Sequence, residues 1–363
     1  MPERSVFNFS AGPAILPEEV LREAQEALWD LDGTGIGVME HSHRGAAFDA
    51  VYEAALADCR SVASIPDEYE VLFLQGGASS QFFMLPANFL RADATADYLV
   101  TGEWAERAAK EARYYGGVHE AWNQQKPYTR IPQASEIRYS DAPSYVHFTS
   151  NNTIFGSQWN TEPEIPAAAW LACDASSDVF SRPIDVTKYG VIYAGAQKNL
   201  GPSGVTLVIM RRELLAEGAR VRELPTMQRY DRKSGSMHNT PTTFGIYIMG
   251  RVFAWILRNG GLEAMGQHNR EKASIVYSAL EELDGFYTCT VGEGSRSAMN
   301  VTFRCADEAT EKRFVADAEA AGLCGLKGHR AVGGMRASIY NAFPREGCEA
   351  LAEFLREFAH KNG

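Results

Sequence analysis

The first two-thirds of the chain alternate between short apolar runs rich in β-branched residues and longer segments with helical spacing. The apolar runs are continuous instead of alternating with polar residues, which is typical of strands in a sheet covered on both faces. They are EVLFLQGG (70–77), DYLVTG (97–102), SYVHFTSN (144–151), AAWLACDASS (168–177), GVIYAGA (190–196) and GVTLVIM (204–210). Residues 18–31 and 46–63 have helical spacing. This alternation predicts an α/β fold with a large, mostly parallel sheet and helices on both of its faces.

The pattern changes after about residue 260. Residues 261–283 predict a long amphipathic helix that leads into a smaller α+β unit. A chain of 363 residues is long enough for two domains. We expect a large domain over residues 17–260 and a small domain formed by residues 1–16 and 261–363.

A single lysine, Lys198, lies between two runs that both read as buried strands, in VIYAGAQKNLGPSGVTLVIM (191–210). The connection between these strands is too short for a crossover helix. The pair is therefore expected to be an antiparallel exception in the sheet.

Polar or aromatic residues follow five of the predicted strands. They are Ser79, Trp104, Thr153, Asp174 and Lys198. Because ligands collect outside the carboxyl ends of strands in open α/β sheets, these five residues predict one shared site.

The chemistry of these residues points to pyridoxal phosphate (PLP). A desolvated lysine has a lowered pKa and can form a Schiff base, as proposed for Lys198. Asp174, which precedes it by 24 residues, could keep a pyridine nitrogen protonated and make the ring an electron sink. The segment LQGGASSQFFML (74–85) predicts a glycine turn before a helix, where free N–H groups favour a phosphate, and Trp104 offers a flat face for a ring.

Each of these residues also has a plain structural interpretation. Most lysines are solvated surface charges, an acid after an apolar run is often a helix cap, and a lone tryptophan is often core packing. Gly-Gly also serves ordinary tight turns. The rival nucleotide-binding motifs are absent, since the chain has no G-x-x-x-x-G-K-[ST] and GTGIGV (33–38) does not match G-x-G-x-x-G.

Composition limits which binding partners and which cellular location we expect for the protein. The formal charge of −11, without a basic run, argues against binding to nucleic acid or to an anionic membrane. No apolar run approaches the ~20 residues that span a bilayer, and the first residues have no signal-type core. The six scattered cysteines are expected to be free thiols in a cytoplasmic protein. His41 and His43 lack a third ligand at recognisable spacing, so we expect no metal.

Five long segments and the amino-terminal stretch FNFSAGPAILPEEVL (7–21) together resemble the phosphoserine aminotransferases, a class-V family of PLP-dependent enzymes. The five segments are HSHRGAAFDAVYEAA (41–55), GGASSQFFMLPANFL (76–90), CDASSDVFSRPIDVTKYGVIYAGAQKNLGPSGVTLVI (173–209), MHNTPTTFGIYIMG (237–250) and GHRAVGGMRASIYNA (328–342). The resemblance covers essentially the whole chain in unbroken order. It implies the aspartate aminotransferase-like fold (fold type I) and a homodimer with both active sites at the interface.

The same resemblance implies the reaction. Glutamate and 3-phosphohydroxypyruvate would exchange an amino group to give 2-oxoglutarate and O-phospho-L-serine, in serine biosynthesis. A second expected substrate of the enzyme is 4-phosphohydroxythreonine, the phosphorylated substrate of vitamin B6 synthesis. One PLP per subunit would be held as a Schiff base on Lys198, which would also move the substrate's α-proton.

Roles for the other residues follow from the resemblance by motif. Asp174 would pair with the pyridine nitrogen, Trp104 would stack on the ring and Thr153 would contact its polar edge. The expected phosphate ligands are Ala78, Ser79 and Gln197, with Asn239 and Thr240 from the neighbouring subunit.

The expected substrate ligands are mostly cationic. Arg336 would clamp the α-carboxylate, with Ser10 nearby. The distal phosphate or γ-carboxylate would meet His329 and Arg330, together with His43 and Arg44 from the other subunit. Arginine suits this task because it forms bidentate pairs with carboxylates and phosphates.

One departure and two alternatives stay open at this point. Some relatives carry an arginine where this chain has Ala78-Ser79-Ser80, so the anion contacts of this loop can differ. A different fold-type-I reaction, such as that of another aminotransferase or a cysteine desulfurase-like lyase, would need another donor or an activated cysteine, for which Cys324 and Cys348 are candidates. A non-catalytic binding protein on the same scaffold would be expected to have lost Lys198, Asp174 or Arg336, all of which are present.

Overall fold

The computed structural model describes residues 5–363. Within this range the helices, α1 to α9 in chain order, are Glu18–Trp29, Ala46–Ala63, Gly77–Phe89, Glu103–Ala112, Arg212–Gly218, Thr243–Arg258, Gly261–Glu282, Glu308–Ala320 and Arg345–Asn362. The strands, β1 to β14, are Phe7–Asn8, Tyr69–Leu74, Thr95–Val100, Gly117–Asn123, Val146–Thr149, Asn151–Asn152, Ser157–Gln158, Leu171–Asp174, Val191–Gly195, Thr206–Arg211, Thr288–Cys289, Asn300–Arg304, Leu323–Cys324 and Met335–Ser338.

A seven-stranded sheet with the order β2-β10-β9-β8-β5-β3-β4 forms the centre of the molecule. Its neighbouring strands are parallel except where β10 lies between β2 and β9, and there both pairings are antiparallel. All six strands predicted from apolar runs belong to this sheet. The predicted fold class and the predicted antiparallel pair around Lys198 are both confirmed.

Both faces of this sheet are covered, which explains why its strands are apolar throughout. In β2, Val71 and Phe73 belong to one hydrophobic cluster, whereas Leu72 and Leu74 belong to a second. Because successive side chains of a strand point to opposite faces, the two clusters fill the two sides of the sheet. Helices α2 and α6 contribute to the first cluster, and α3 and α4 to the second.

The sequence pattern missed the edge strand β4. This strand pairs only with β3, and most of its residues are partly or fully exposed. Because most of its residues are only partly buried, β4 lacks the continuous apolar run by which the other strands were predicted.

Short antiparallel strands and long helices form the carboxy-terminal part of the chain. A three-stranded sheet with the order β11-β12-β14 shares a third hydrophobic cluster with α7, α8 and α9. Phe9 belongs to the same cluster, and β1 pairs in parallel with β13. This arrangement agrees with grouping the first residues with the carboxy-terminal part, and the domain boundary at residues 260 and 261 stays a prediction.

Within residues 5–363 no helix is long and apolar enough to cross a membrane. No group of three histidine, cysteine or acidic side chains in the same range is arranged to hold a metal ion.

Candidate active site

The five residues predicted to share a site lie together at the carboxyl edge of the large sheet. Asp174 is the last residue of β8, Lys198 comes three residues after the end of β9, and Trp104 is the second residue of α4. A cavity of about 400 Å³ lies at this edge. Its lining residues are Gly12, Pro13, Gly76, Gly77, Ala78, Ser79, Phe82, Trp104, Asp174, Ser176, Gln197, Lys198, Ser203 and Gly204.

Lys198 is held by Thr153 and Trp104. Its Nζ donates a hydrogen bond to Thr153 Oγ1 over 2.6 Å and lies 5.6 Å from the centre of the Trp104 ring. Burial lowers the pKa of the Lys198 ammonium to about 8, with a contribution from Arg336, while Asp174 opposes the shift. At pH 7 roughly a tenth of this amine is therefore unprotonated, far more than for an exposed lysine, and a nucleophile or base requires this neutral form.

Asp174 is a buried carboxyl group at the floor of the cavity, with 3% of its surface exposed. The Ser176 amide and hydroxyl both donate to its Oδ1, over 3.1 and 2.7 Å. Burial raises the pKa of Asp174, whereas these hydrogen bonds and the charge of Lys198 oppose the shift. Asp174 Oδ2 accepts neither of these hydrogen bonds, so it can accept one from a donor group in the cavity.

The sequence analysis did not single out Ser176, which fixes Asp174. A signal was present in the segment Asp-Ala-Ser-Ser, because a serine two residues after an aspartate commonly forms this local turn. The two hydrogen bonds that Ser176 donates show that it holds the Asp174 carboxylate in place.

The predicted phosphate cradle is the turn before α3. Gly76 and Gly77 have φ angles of 96° and 68°, in the left-handed region that favours glycine. No side chain caps the amino terminus of α3, so its first N–H groups remain available to an anion. Ala78 and Ser79 lie in this first turn and line the cavity.

Arg336 on β14 approaches the same site from the carboxy-terminal part of the chain. Its Nη1 donates to the Thr153 carbonyl over 3.2 Å, so it lies next to the residue that contacts Lys198. Among residues 5–363, Arg336 Nε and Trp104 Nε1 are buried without a hydrogen-bond partner. Buried donors without partners are costly, and both can be satisfied by acceptors of a bound molecule.

The amino-terminal segment forms one wall of the cavity. Gly12 and Pro13 line it, and the Ala14 amide donates to the Gln197 carbonyl over 2.9 Å. Ser10 lies just before this wall and packs against Gly325, where an added Cβ would come within 2.7 Å of its hydroxyl. The sequence analysis expected Ser10 here and missed Gly12 and Pro13.

His329 and Arg330 lie in the loop before β14. Val332 and Gly333 donate their amides to the His329 carbonyl, each over 2.9 Å. Burial and the charges of Arg336 and Arg330 lower the pKa of His329. The loop also borders a larger cavity, of about 920 Å³ beside α8, but neither Lys198 nor Asp174 lines that cavity. We therefore assign the chemistry to the smaller cavity.

The other four predicted ligands lie outside this cavity within one chain. Asn239 Nδ2 donates to Gln75 Oε1 over 3.2 Å, and Gln75 in turn donates to the Thr240 carbonyl. His43 and Arg44 lie in the connection between α1 and α2, where Arg44 is exposed. One chain alone does not bring these residues to Lys198.

The cavity fits PLP on the chemistry of its own side chains. It offers a buried lysine with a lowered pKa, a buried carboxylate, an indole N–H without a partner and an uncapped helix amino terminus. The lysine matches the aldehyde of PLP, the carboxylate its ring nitrogen and the helix amino terminus its phosphate. The indole N–H matches a polar substituent of the ring or the substrate. The cavity volume lies in the usual range for small-molecule sites.

Comparison with known proteins finds relatives that match nearly the whole chain. Residues 6–351 match the aminotransferase class-V family. A protein of Herpetosiphon aurantiacus called phosphoserine aminotransferase is 52% identical over 362 residues, which cover 99% of this chain and 100% of that protein. The solved phosphoserine aminotransferase of Bacillus circulans subsp. alkalophilus superimposes with a TM-score of 0.96 at 49% identity, covering 99% of this chain and 100% of that one. A PLP-bound phosphoserine aminotransferase from Trichomonas vaginalis has a TM-score of 0.92 at 35% identity, with 97% and 99% covered.

Proposed function

The chain belongs to the class-V aminotransferases, and on that premise we propose that it is a PLP-dependent phosphoserine aminotransferase whose residues divide the reaction as follows. It exchanges an amino group between glutamate and 3-phosphohydroxypyruvate, and we propose 4-phosphohydroxythreonine as a second substrate of the same reversible reaction. The observation that carries the proposal is the buried Lys198 amine, which shares one cavity with Asp174 and lies beside Trp104.

PLP bound in this cavity supplies an electron sink for the negative charge that develops at the substrate's α-carbon. Lys198 is the residue that would hold the cofactor covalently, and its free amine would remove the α-proton of the amino donor. In the reverse half-reaction the same amine returns a proton to the 2-oxo carbon. Its lowered pKa serves both directions.

Asp174 and the α3 turn would hold the two ends of the cofactor. The Asp174 carboxylate, which Ser176 holds in place, would keep the ring nitrogen of PLP protonated. Ala78, Ser79 and Gln197 would hold the phosphate. Trp104 would stack on the ring and Thr153 would contact its edge, since both already contact Lys198.

Arg336 would clamp the α-carboxylate common to all substrates. Its guanidinium is partly buried and lies beside Thr153, with Nε free to donate. The distal group, a carboxylate in glutamate and a phosphate in the other substrates, calls for cations that accept either anion. Arg330 would supply such a cation. His329, whose pKa is lowered by burial and by the charges of Arg336 and Arg330, would instead donate a hydrogen bond, with Ser10 nearby.

We propose a homodimer in which Asn239, Thr240, His43 and Arg44 complete the neighbouring site. Supporting this, large apolar side chains are exposed beside the His43 segment, among them Trp29 with 86% and Met39 with 62% of their surface exposed. Exposed apolar surface of this kind typically marks an interface. We also propose a cytoplasmic location, which agrees with six free cysteines.

The alternative reactions have less support. Among the residues that line the cavity none is a cysteine. Cys348 is buried and burial raises the pKa of its thiol to about 12, so it is not an activated nucleophile. The relatives compared above are named aminotransferases.

The decisive test is the visible absorption spectrum of the purified holoprotein. We expect a yellow band that disappears on adding glutamate and returns on adding 3-phosphohydroxypyruvate. Lys198→Ala should lose the band and lower turnover by at least about 10³-fold, since the nucleophile and base are removed together. Lys110→Ala, which changes an exposed lysine of α4, serves as the matched control. Full turnover in Lys198→Ala would refute the assignment.

A further inference from the structure

A second buried lysine, Lys272 on α7, lies outside the cavity and is not used in the mechanism above. It is fully buried, and its Nζ donates to the backbone carbonyls of Ile339, Tyr340 and Phe343 over 3.1, 2.6 and 3.1 Å. Three acceptors match the three N–H donors of an ammonium, whereas a neutral amine has only two. The geometry is therefore that of a cation held by carbonyl oxygens.

Among residues 5–363, no carboxylate forms an ion pair with Lys272. The neighbouring Cys348 thiol is neutral, because burial raises its pKa to about 12. Burial lowers the pKa of Lys272 to about 7, and hydrogen bonds to three carbonyls oppose that shift because they favour the charged form. Carbonyl oxygens arranged in this way also replace the hydration shell of monovalent ions.

The segment that Lys272 holds directly follows the strand that carries Arg336. β14 ends at Ser338, and the three carbonyls belong to residues 339–343. Fixing this turn therefore fixes the carboxyl end of the strand from which Arg336 projects.

The same turn is bonded to the loop that carries Lys198. The Asn341 amide donates to Asn199 Oδ1 over 2.9 Å, and Asn199 adjoins Lys198 in the chain. Asn341 Nδ2 donates to the Phe180 carbonyl, and Asn269, one turn before Lys272 on α7, donates to Asn341 Oδ1 over 2.7 Å. These buried contacts link α7, β14 and the large sheet.

We propose that Lys272 is a positioning residue whose ammonium occupies a cation site formed by the carbonyls of residues 339–343, and that it thereby sets the position of Arg336 relative to Lys198. This inference rests on the proposed function, because it assumes that these two residues act on the same substrate. Lys272 does not line the cavity that would hold substrate and cofactor.

The test compares three variants of the holoprotein. Lys272→Met removes the charge at similar volume, Lys272→Ala leaves space for a small cation, and Lys312→Met changes an exposed lysine of α8 as the control. Since small misplacements of reacting groups lower rates by up to about 10²-fold, we expect kcat/KM of Lys272→Met to fall about tenfold to a hundredfold, with a higher KM for glutamate. Ammonium or methylammonium chloride should restore part of this loss in Lys272→Ala and raise its unfolding temperature. Neither salt should improve wild type or Lys312→Met beyond the effect of sodium chloride.

Several results would overturn the inference. One is a kcat/KM of Lys272→Met within twofold of wild type. Another is a loss that follows only the folded fraction, with unchanged KM and no response to ammonium, which would make Lys272 merely structural. If Lys272→Met does not fold, Lys272→Gln keeps two N–H donors without the charge, and wild-type kinetics in that variant would also overturn the inference. Failure of the wild-type band to respond to glutamate would instead refute the proposed function.

Discussion

At the scale of single residues, the protonation of Lys198 is decided by its burial and three neighbouring charges. Burial disfavours the ammonium and Arg336 disfavours it further, whereas Asp174 and Asp178 favour it. The resulting pKa of about 8 is well below that of an exposed lysine. Arg336, which would bind the substrate, therefore also activates the amine, while Asp174, which would bind the cofactor, opposes this activation.

This balance predicts a pH dependence of cofactor attachment. Below the pKa of about 8 the cofactor-free protein carries an ammonium at Lys198, which has no lone pair, and above it a neutral amine. The rate of covalent PLP attachment, followed by absorbance, should therefore rise with pH around a midpoint near 8 and level off above it. Asp174→Asn should move the midpoint down, because it removes the charge that favours the ammonium. Arg336→Ala should move it up.

Shifts in the same direction for the two variants would contradict this electrostatic account. Arg113→Ala is a suitable control, because Arg113 pairs with Glu120 and does not contribute to the pKa of Lys198.

The pattern of strands predicted the site residues that follow them. Residues from distant segments, such as Arg336 and Ser10, were expected only from the family resemblance. Lys198, Asp174 and Trp104 each follow an apolar run, and the geometry of a parallel sheet brings such positions together. Gly12 reaches the cavity only because the amino-terminal segment folds back on the Gln197 loop. Neither periodicity nor composition encodes a contact over that sequence separation.

At the scale of elements, the uncapped amino terminus of α3 depends on the two glycines before it. Gly76 has a φ of 96°, and a Cβ added there would lie 1.9 Å from Ser80 Oγ. The turn therefore excludes a side chain for reasons of both backbone conformation and space.

Gly76→Ala should consequently weaken PLP binding. Strain of about 1–3 kcal/mol at such a position corresponds to roughly a 5- to 150-fold higher Kd, measured by titrating cofactor-free protein with PLP. Gly294→Ala is the matched control, since no heavy atom lies within 4 Å of its added Cβ and its φ is not in the left-handed region. An unchanged Kd for Gly76→Ala would show that this turn does not hold the phosphate.

The central strands could be predicted because they are buried on both faces, and their boundaries agree with the apolar runs to within a few residues. The edge strand β4 could not, because it is largely exposed. The two-residue strands β1 and β13 are too short for any periodicity, and their pairing is a tertiary contact.

At the scale of the whole molecule, the proposed dimer predicts that two inactive variants can complement each other. Lys198→Ala impairs a site through its own subunit, whereas His43→Ala/Arg44→Ala would impair the site of the neighbour. In a hybrid dimer one site carries both defects and the other carries none. Random mixing should therefore restore activity to roughly a quarter of the sites, measured after reassembly.

Mixing Lys198→Ala with Asp174→Asn should restore nothing, because both residues belong to one subunit's cavity. If the first mixture also stayed inactive while forming hybrid dimers, His43 and Arg44 would serve the subunit that carries them.

The docking of the amino-terminal segment also has a consequence for the order in which the chain folds during synthesis. All strands of the large sheet have been made once residue 211 has left the ribosome. Phe9 belongs to the same hydrophobic cluster as Val276 and Phe303, and β1 pairs with β13 at residues 323 and 324. The wall of the active site formed by Gly12 and Pro13 is thus translated before the large sheet, and its neighbouring strand β1 can be anchored only after residues 323 and 324 have been made.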